Sequence, residues 1–300
     1  MYRFYVSILL LVATASDVRP EDAPFVGKRW RGVDTNPLLT GRPGRWDALI
    51  RERGWILKDG DSWKLWYTGY NKERQPLMMK LGLATSSDGI SWKRASDQPI
   101  YDATWIEDMM VISHNGRYIM FAEGKHDQPQ MLESEDGVKW TRVGTLDVRQ
   151  VNGTAIKPGP YGTPTVFLKD RIWHLFYERY DSGIWLATST DRKVWTNVSD
   201  DPIIVPGPDN YDSRMIAMNQ VVDCNGKYYA VLHGTGTPQK PRQWCTFLAT
   251  SDDLLTWTKL KQGPVLPVEG NKSSGQLVFD GQQWRLYTMH AQVDLWQLAP

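Results

Sequence analysis

"SSDGISWKR" occupies residues 86–94, and close variants return as "SEDGVKWTR" (134–142), "STDRKVWTN" (189–197) and "SDDLLTWTK" (251–259). Each copy opens on a polar turn and ends just past a tryptophan: Trp92, Trp140, Trp195 or Trp257. Asp and Gly supply the turn conformation, and an aromatic at a fixed offset packs against whatever lies beside it. Before each turn runs a short alternating strand, as in "KLGLATS", "QMLES", "GIWLATS" and "TFLATS". Further back lies an aromatic-rich strand: "SWKLWYTG", "RYIMFAEG", "IWHLFYER", "KYYAVLHG". An Asp, Gly or Asn turn separates that strand from an apolar one: "GWILKDG", "MMVISHNG", "PTVFLKD", "NQVVDCNG".

Four antiparallel strands, A to D, therefore recur at a period of about fifty residues, which predicts the blades of a β-propeller. A fifth unit, "SGQLVFDGQQWRLYTMH" followed by "VDLWQLA", has strands A, B and C and then the chain stops. The N-terminus holds the missing strand. Trp92, Trp195 and Trp257 stand seven residues before Pro99, Pro202 and Pro264, and Trp30 stands the same distance before Pro37. Residues 29–39 thus complete the last blade, and pairing of the two chain ends closes the ring. The expected architecture is all-β: one five-bladed propeller over residues 25–300. Its blades fall near 44–99, 103–148, 160–202, 213–264 and 273–300 plus 29–39.

The chain has 300 residues and a formal net charge of +1, with no basic excess to suit a nucleic acid. "MYRFYVSILLLVATAS" (1–16) combines a basic start, an apolar run and a small-x-small end. That is the pattern of a cleaved signal peptide, too short to span a membrane, so a secreted or periplasmic location is expected. No other stretch is apolar enough to cross one. Two cysteines, Cys224 and Cys245, make no disulfide framework. They fall at opposite ends of blade 4, so two free thiols are expected.

In a propeller the A strands line the axis, and A-strand starts share one face with B-strand ends. The A-start slots hold Glu52-Arg53, Glu107-Asp108, Gly162-Thr163, Met218-Asn219 and Ser274-Gly275. The B-end slots hold Thr68-Gly69-Tyr70, Glu123, Glu178-Arg179, His233 and His290. Charge is concentrated on one rim of the axis, which predicts a polar pocket there. An ion-pair network joining Arg53 to Glu107, or Arg179 to Asp108, is the structural alternative. Arg51, Arg53 and Arg179 are expected to keep a neighbouring acid ionised or to bind an anionic group. Asp47, Asp102 and Asp212 follow aromatics in register on the D-to-A crossings, so a shared structural role is open for them. Trp46, Trp55 and Trp105 escape the repeated slots and are candidates for stacking against a ligand.

A five-bladed propeller with axial carboxylates resembles the furanosidase-type superfamily of glycoside hydrolase families 43, 32, 62, 68, 117 and 130, family 43 most closely. The resemblance covers the whole mature chain. It implies three acids at the A-strand starts of blades 1 to 3, acting as base, pKa-tuning residue and general acid. "IEDMMVISHNGRYIMFAEG" matches it in blade 2, which gives Asp108 the second position. Blade 1 offers Arg53 at the slot, with Glu52 adjacent and Asp47 upstream. Blade 3 departs from the pattern, with Thr163 in place of an acid, and Glu178 at the B-end is the nearest carboxylate. His233 is an alternative proton donor. The repeated turn resembles the Asp-box of sialidases but lies at the periphery.

The resulting expectation is an exported glycoside hydrolase acting on an oligo- or polysaccharide. Its base is Asp47 or Glu52, its tuning residue Asp108 and its acid Glu178. Trp46, Arg51, Arg53, Trp105, Glu107, Glu123, Thr163, Arg179, Asn219, His233 and His290 are the expected binding residues. A glycoside phosphorylase and a non-catalytic sugar-binding propeller are the alternatives. Some relatives carry a central Ca²⁺, but no metal-ligand spacing here argues for any cofactor. The sequence leaves oligomeric state open.

Overall fold

The computed structural model describes residues 23–156, 161–238 and 241–299, so the leader expected over 1–16 lies outside the described part. The first strand of the described residues is β1 (Trp30–Gly32). Blade 1 holds β2 (Leu49–Ile50), β3 (Trp55–Asp59), β4 (Ser62–Tyr70), β5 (Lys80–Ser86) and β6 (Lys93–Arg94). Blade 2 holds β7 (Glu107–His114), β8 (Arg117–Gly124), β9 (Gln128–Ser134) and β10 (Thr141–Thr145). Blade 3 holds β11 (Asp147–Arg149), β12 (Gly162–Lys169), β13 (Ile172–Glu178), β14 (Ile184–Ser189) and β15 (Val194–Asn197). Blade 4 holds β16 (Met215–Cys224), β17 (Lys227–Thr235), β18 (Cys245–Ser251) and β19 (Thr258–Lys259). Blade 5 holds β20 (Gly275–Phe279), β21 (Trp284–Met289) and β22 (Val293–Leu298). No helix among the described residues is long and apolar enough to cross a membrane.

The ring closes as the Trp–Pro spacing requires. β1 pairs antiparallel with β22, Trp30 opposite Leu298 and Gly32 opposite Trp296. Just upstream, Phe25 is fully buried, edge-on to Tyr229 of blade 4 and Trp284 of blade 5. The N-terminal segment therefore fastens two blades together as well as completing one. Phe25→Ala is expected to cost about 3–5 kcal/mol, because the emptied site has walls on two blades. Calorimetry should show a fall in Tm on the order of 10 °C. An unchanged Tm would mean that this clamp is not part of the ring.

The repeated turn is a side-chain-capped hairpin connection. Asp88 Oδ1 accepts hydrogen bonds from the Ile90 and Ser91 amides, both at 2.7 Å. Asp136, Asp191 and Asp253 do the same in their blades. These amide contacts lead the causes that hold the Asp88 carboxyl well below the usual carboxylate range. The turns also serve as sockets between blades. Trp66 Nε1 of blade 1 donates to Gly137 O in the blade 2 turn at 2.7 Å. Tyr287 of blade 5 donates to Gly89 O in the blade 1 turn at 2.9 Å. The repeat is thus a packing device, and aromatics in the repeated B-strand slot such as Trp63, Tyr118, Trp173 and Tyr228 are buried.

One element was not legible in the repeat. β11 pairs parallel with β15 and adds an outer strand to blade 3. Both cysteines are free, Cys245 buried and Cys224 half-buried.

Candidate active site

The inner strands are not regular where they enter the axial face. β7, β12 and β16 each carry a register shift near the start, between Glu107 and Met110, Gly162 and Thr165, and Met218 and Gln220. In blade 1 the inner strand is interrupted outright, β2 and β3 both pairing with β4 on either side of residues 51–54. Arg53, Asp108, Thr163 and Ser274, one per blade, have φ between 46° and 54°. None is glycine, and a side chain in the left-handed region persists only where the surroundings hold it there. A bulge re-aims the residues it contains. The irregularities fall at the A-start slots predicted from sequence.

Glu52, Asp108 and Thr163 of these slots line a pocket of about 840 Å³ on one face of the ring. Its walls carry six carboxyl groups: Glu52, Asp108, Glu123, Asp127, Glu178 and Asp181. Arg51, Thr163, His233 and His290 also line it, as expected from sequence, and Tyr180, Arg242, Trp244 and Asn271 join them.

Glu52 is the carboxylate held ionised. Its Oε1 lies 2.8 Å from Arg51 Nη1 and its Oε2 3.2 Å from His290 Nδ1. Burial alone would raise its pKa, but His290 and Arg51 outweigh that and hold it at about 2. Arg51 also meets Glu107 Oε2 at 2.8 Å, so its charge is shared between two acids.

Glu178 is the opposite case. Burial, followed by the neighbouring Asp181 charge, raises its pKa to about 7. Gly162 N–H donates to its Oε1 (3.1 Å) and Asp181 N–H to its Oε2 (2.6 Å). Thr163 N–H donates to Glu123 Oε2 at 3.0 Å. The missing acid of blade 3 now has a physical account: Gly162 leaves empty the space that a side chain would fill. A Cβ there would lie 2.3 Å from Glu178 Oε1 and 2.4 Å from Glu123 Oε2. Two carboxyl groups from the B-strand ends occupy that place.

Asp108 is buried, its Oδ1 has no hydrogen-bond partner, and burial pushes its pKa well above the carboxylate range. Asp181 is raised to about 6, by burial first and then by Glu52. Burial lowers His233 to about 4, so its ring is neutral near pH 7 and does not serve as an acid there. The ring is fixed by Asn219 Oδ1, 2.7 Å from its Nδ1, and by an edge contact with Trp244.

Several expected residues lie elsewhere. Asp47 is fully buried in an ion pair with Arg94 Nε (2.7 Å) and Arg42 Nε (2.9 Å), with Tyr67 OH donating to it at 3.1 Å. Asp212 makes the matching pair with Lys259 in blade 4. Arg94 on β6 and Lys259 on β19 sit on the outermost strands of their blades, so these crossings use Asp as a structural tie. Trp46 is buried against Tyr67, stacked at 6.0 Å, because the side-chain-free Gly69 admits the crossing there. Trp55 belongs to the blade 1–2 core. Trp105 donates to Glu107 Oε1 at 2.6 Å, outside the pocket lining.

Arg53 is 1% exposed; the Asp108 and Glu123 charges act on it, but its guanidinium hydrogen bonds go to other groups. Its guanidinium donates to Asp108 O (2.6 Å), Pro164 O (2.9 Å), Thr165 Oγ1 (2.6 Å) and Asn219 O (3.3 Å). It is a plug joining blade 1 to blades 2, 3 and 4 beneath the pocket. Arg179 lies over the Trp185 ring at 5.7 Å rather than in the pocket. Asn219 stands behind His233, and Glu107 behind Arg51. Among the described residues no group of three or more His, Cys, Asp or Glu side chains is disposed to hold a metal ion.

The sequence reading missed Asp127 and Asp181. A signal was present: "EGKHD" (123–127) and "ERYD" (178–181) each follow a B-end glutamate with an aspartate in the next turn. Arg242 and Trp244 lie in an irregular blade 4 connection with no counterpart in the repeat.

No protein-family model matches the chain. An uncharacterised protein of Mycobacterium tuberculosis is 28% identical over 232 residues, covering 70% of this chain and 76% of that one. A glycosyl hydrolase from Bacteroides ovatus superposes with a TM-score of 0.71 at 15% identity, over 91% of this chain and 94% of that one. The β-1,2-mannobiose phosphorylase of Listeria innocua gives 0.68 at 13% identity, over 90% and 96%. These likenesses establish the fold: the chain is a five-bladed β-propeller of the kind on which those two enzymes are built.

Proposed function

We propose that this protein cleaves glycosidic bonds, with Glu178 as proton donor and Glu52 as the carboxylate facing the anomeric carbon. The observation that carries the reading is the pair of opposed environments in one pocket. One carboxyl keeps its proton up to about pH 7 and the other is ionised from about pH 2 upward. Glycoside cleavage needs that division of roles between two acids.

In the reaction so assigned, the Glu178 O–H bond breaks as its proton passes to the glycosidic oxygen. The C–O electron pair leaves with that oxygen. Glu52 either bonds to the anomeric carbon, giving an ester that water, deprotonated by the Glu178 carboxylate, then cleaves, or takes the proton of a water that attacks that carbon directly. His290 and Arg51 keep Glu52 anionic for this step, and Asp108, on the pocket wall, lies beside them. Trp244 and Tyr180 supply the aromatic surface that sugars stack on.

Both named neighbours support a glycoside as substrate, and they divide between water and phosphate as acceptor. Arg51 is already committed to Glu52 and Glu107, and six carboxyl groups face two guanidinium groups, which favours water. A glycan-library screen with and without phosphate, on wild type and Asp108→Asn, separates the cases. Phosphate-dependent release of a sugar phosphate would assign the phosphorylase. Glycan binding without turnover under any condition would leave a sugar-binding propeller.

The same assignment fixes the pH profile. Glu178 must be protonated to act, so kcat/KM should fall tenfold per pH unit above about 7. Glu52 stays ionised far below neutrality, so it adds no acidic limb in the working range. A profile flat to pH 9 would remove Glu178 from the donor role. The protein is also proposed to be exported behind the 1–16 segment, which N-terminal sequencing of the mature chain would test.

A further inference from the structure

The two glutamates above Gly162 come from different blades, Glu123 from the end of β8 and Glu178 from the end of β13. Consecutive backbone amides hold them: Gly162 N–H takes Glu178, and Thr163 N–H takes Glu123. Their oxygens lie 2.3 and 2.4 Å from the position of the absent Gly162 Cβ, so the two oxygens are at most 4.7 Å apart. Both side chains are buried, each 7% exposed. Two buried carboxyl groups this close do not both ionise near neutrality.

We propose that Glu123 and Glu178 work as one two-carboxyl unit across Gly162, in which Glu123 is the positioning residue that keeps its own proton and so lets Glu178 be the carboxyl that gives one up. Glu178 gives its proton to the leaving oxygen, and the neutral Glu123 stabilises the carboxylate left behind. The side-chain-free Gly162 is what lets the two meet. Burial, with Asp108, Glu107 and Asp127 around it, pushes Glu123 well above the carboxylate range. Around Glu178 stand Asp181 and Asp127, and the Arg242 and Arg51 charges act on Asp181. The catalytic consequence rests on the assignment of Glu178 as proton donor; the pairing itself does not.

The test is titration of the glutamate and aspartate side-chain carboxyl ¹³C resonances by NMR between about pH 4 and pH 9. It compares wild type with Glu123→Gln, Asp181→Asn and Gly162→Ala, and needs no substrate. In wild type, Glu123 and Glu178 should titrate as a coupled pair. Glu123→Gln, which takes away the Glu123 O–H, should raise the Glu178 midpoint by about one unit or more, and shift the basic limb of kcat/KM upward with it. Gly162→Ala, whose methyl would displace both oxygens, should uncouple the two without altering either acid. A Glu178 midpoint moved by Asp181→Asn but not by Glu123→Gln would overturn the pair. If Glu123→Gln fails to fold, two independent single-step curves in wild type would overturn it equally. Coupled titration in a protein that cleaves no glycoside would uphold the pair and sink the glycosidase reading instead.

Discussion

Replacing Glu178 by Gln is expected to lower kcat/KM by about 10³-fold on the glycan that the wild type cleaves. The loss should shrink on aryl glycosides whose leaving group departs without a proton, because protonation of that group is the step removed. The fall in rate above pH 7 should vanish with the carboxyl that causes it. Gln can accept only one of the two amide hydrogen bonds from Gly162 and Asp181, so a modest fall in Tm accompanies the change. A folded Glu178→Gln protein with undiminished turnover would assign the proton to another acid. Asp181, held at about 6 and facing the same pocket, would then be next in line.

The largest structural effect is expected at Arg53. Its guanidinium joins blades 1, 2, 3 and 4 through three carbonyl oxygens and one hydroxyl. Burial lowers its pKa to about 10, yet it remains charged at neutral pH. Arg53→Met removes every one of those hydrogen bonds and leaves the carbonyl groups facing an apolar chain. The cost should be about 3–5 kcal/mol, because several buried acceptors are left unpaired at roughly 1–3 kcal/mol each. A Tm lowered by roughly 10 °C or more would follow. Arg53→Lys keeps the charge but lacks the planar fork that reaches three blades at once, and should fall between. Since Asp108 O is among the acceptors, the pocket floor should loosen too, with KM rising alongside. A stable Arg53→Met protein would show that the five blades hold without an axial tie.

The sequence carried the architecture because a propeller writes it repeatedly. Each blade must present the same hydrophobic pattern to its neighbours, so the strands, the capped turns and the missing fifth outer strand all show up as periodicity. Trp30 could be placed against the last blade because its spacing to Pro37 copies the other outer strands. The same bookkeeping placed the A-start and B-end slots, and Glu52, Asp108, Glu123, Thr163, Glu178, His233 and His290 do meet in one pocket.

What periodicity cannot express is the direction of a side chain within its slot. Arg53 and Glu52 are adjacent in sequence, yet one is buried under the floor and the other faces the cavity, because the inner strand breaks between β2 and β3. Asp47 reads as a candidate base beside a charged stretch, and only the fold shows Arg42 and Arg94 closing around it. The turn residues Asp127 and Asp181, and Arg242 and Trp244 of blade 4, lie in connections whose shape no repeat constrains.

The sequence by itself determined the number of blades, the order of strands and the way the ring shuts, since these follow from hydrophobic period and turn chemistry, which are local. The tertiary structure alone decided which acids are ionised. Protonation depends on burial and on charges only ångströms away, and in this protein those charges come from blades far apart along the chain. Gly162 shows the difference most plainly. In the sequence it stands where an acid is wanting, and in space it is the gap into which two acids reach.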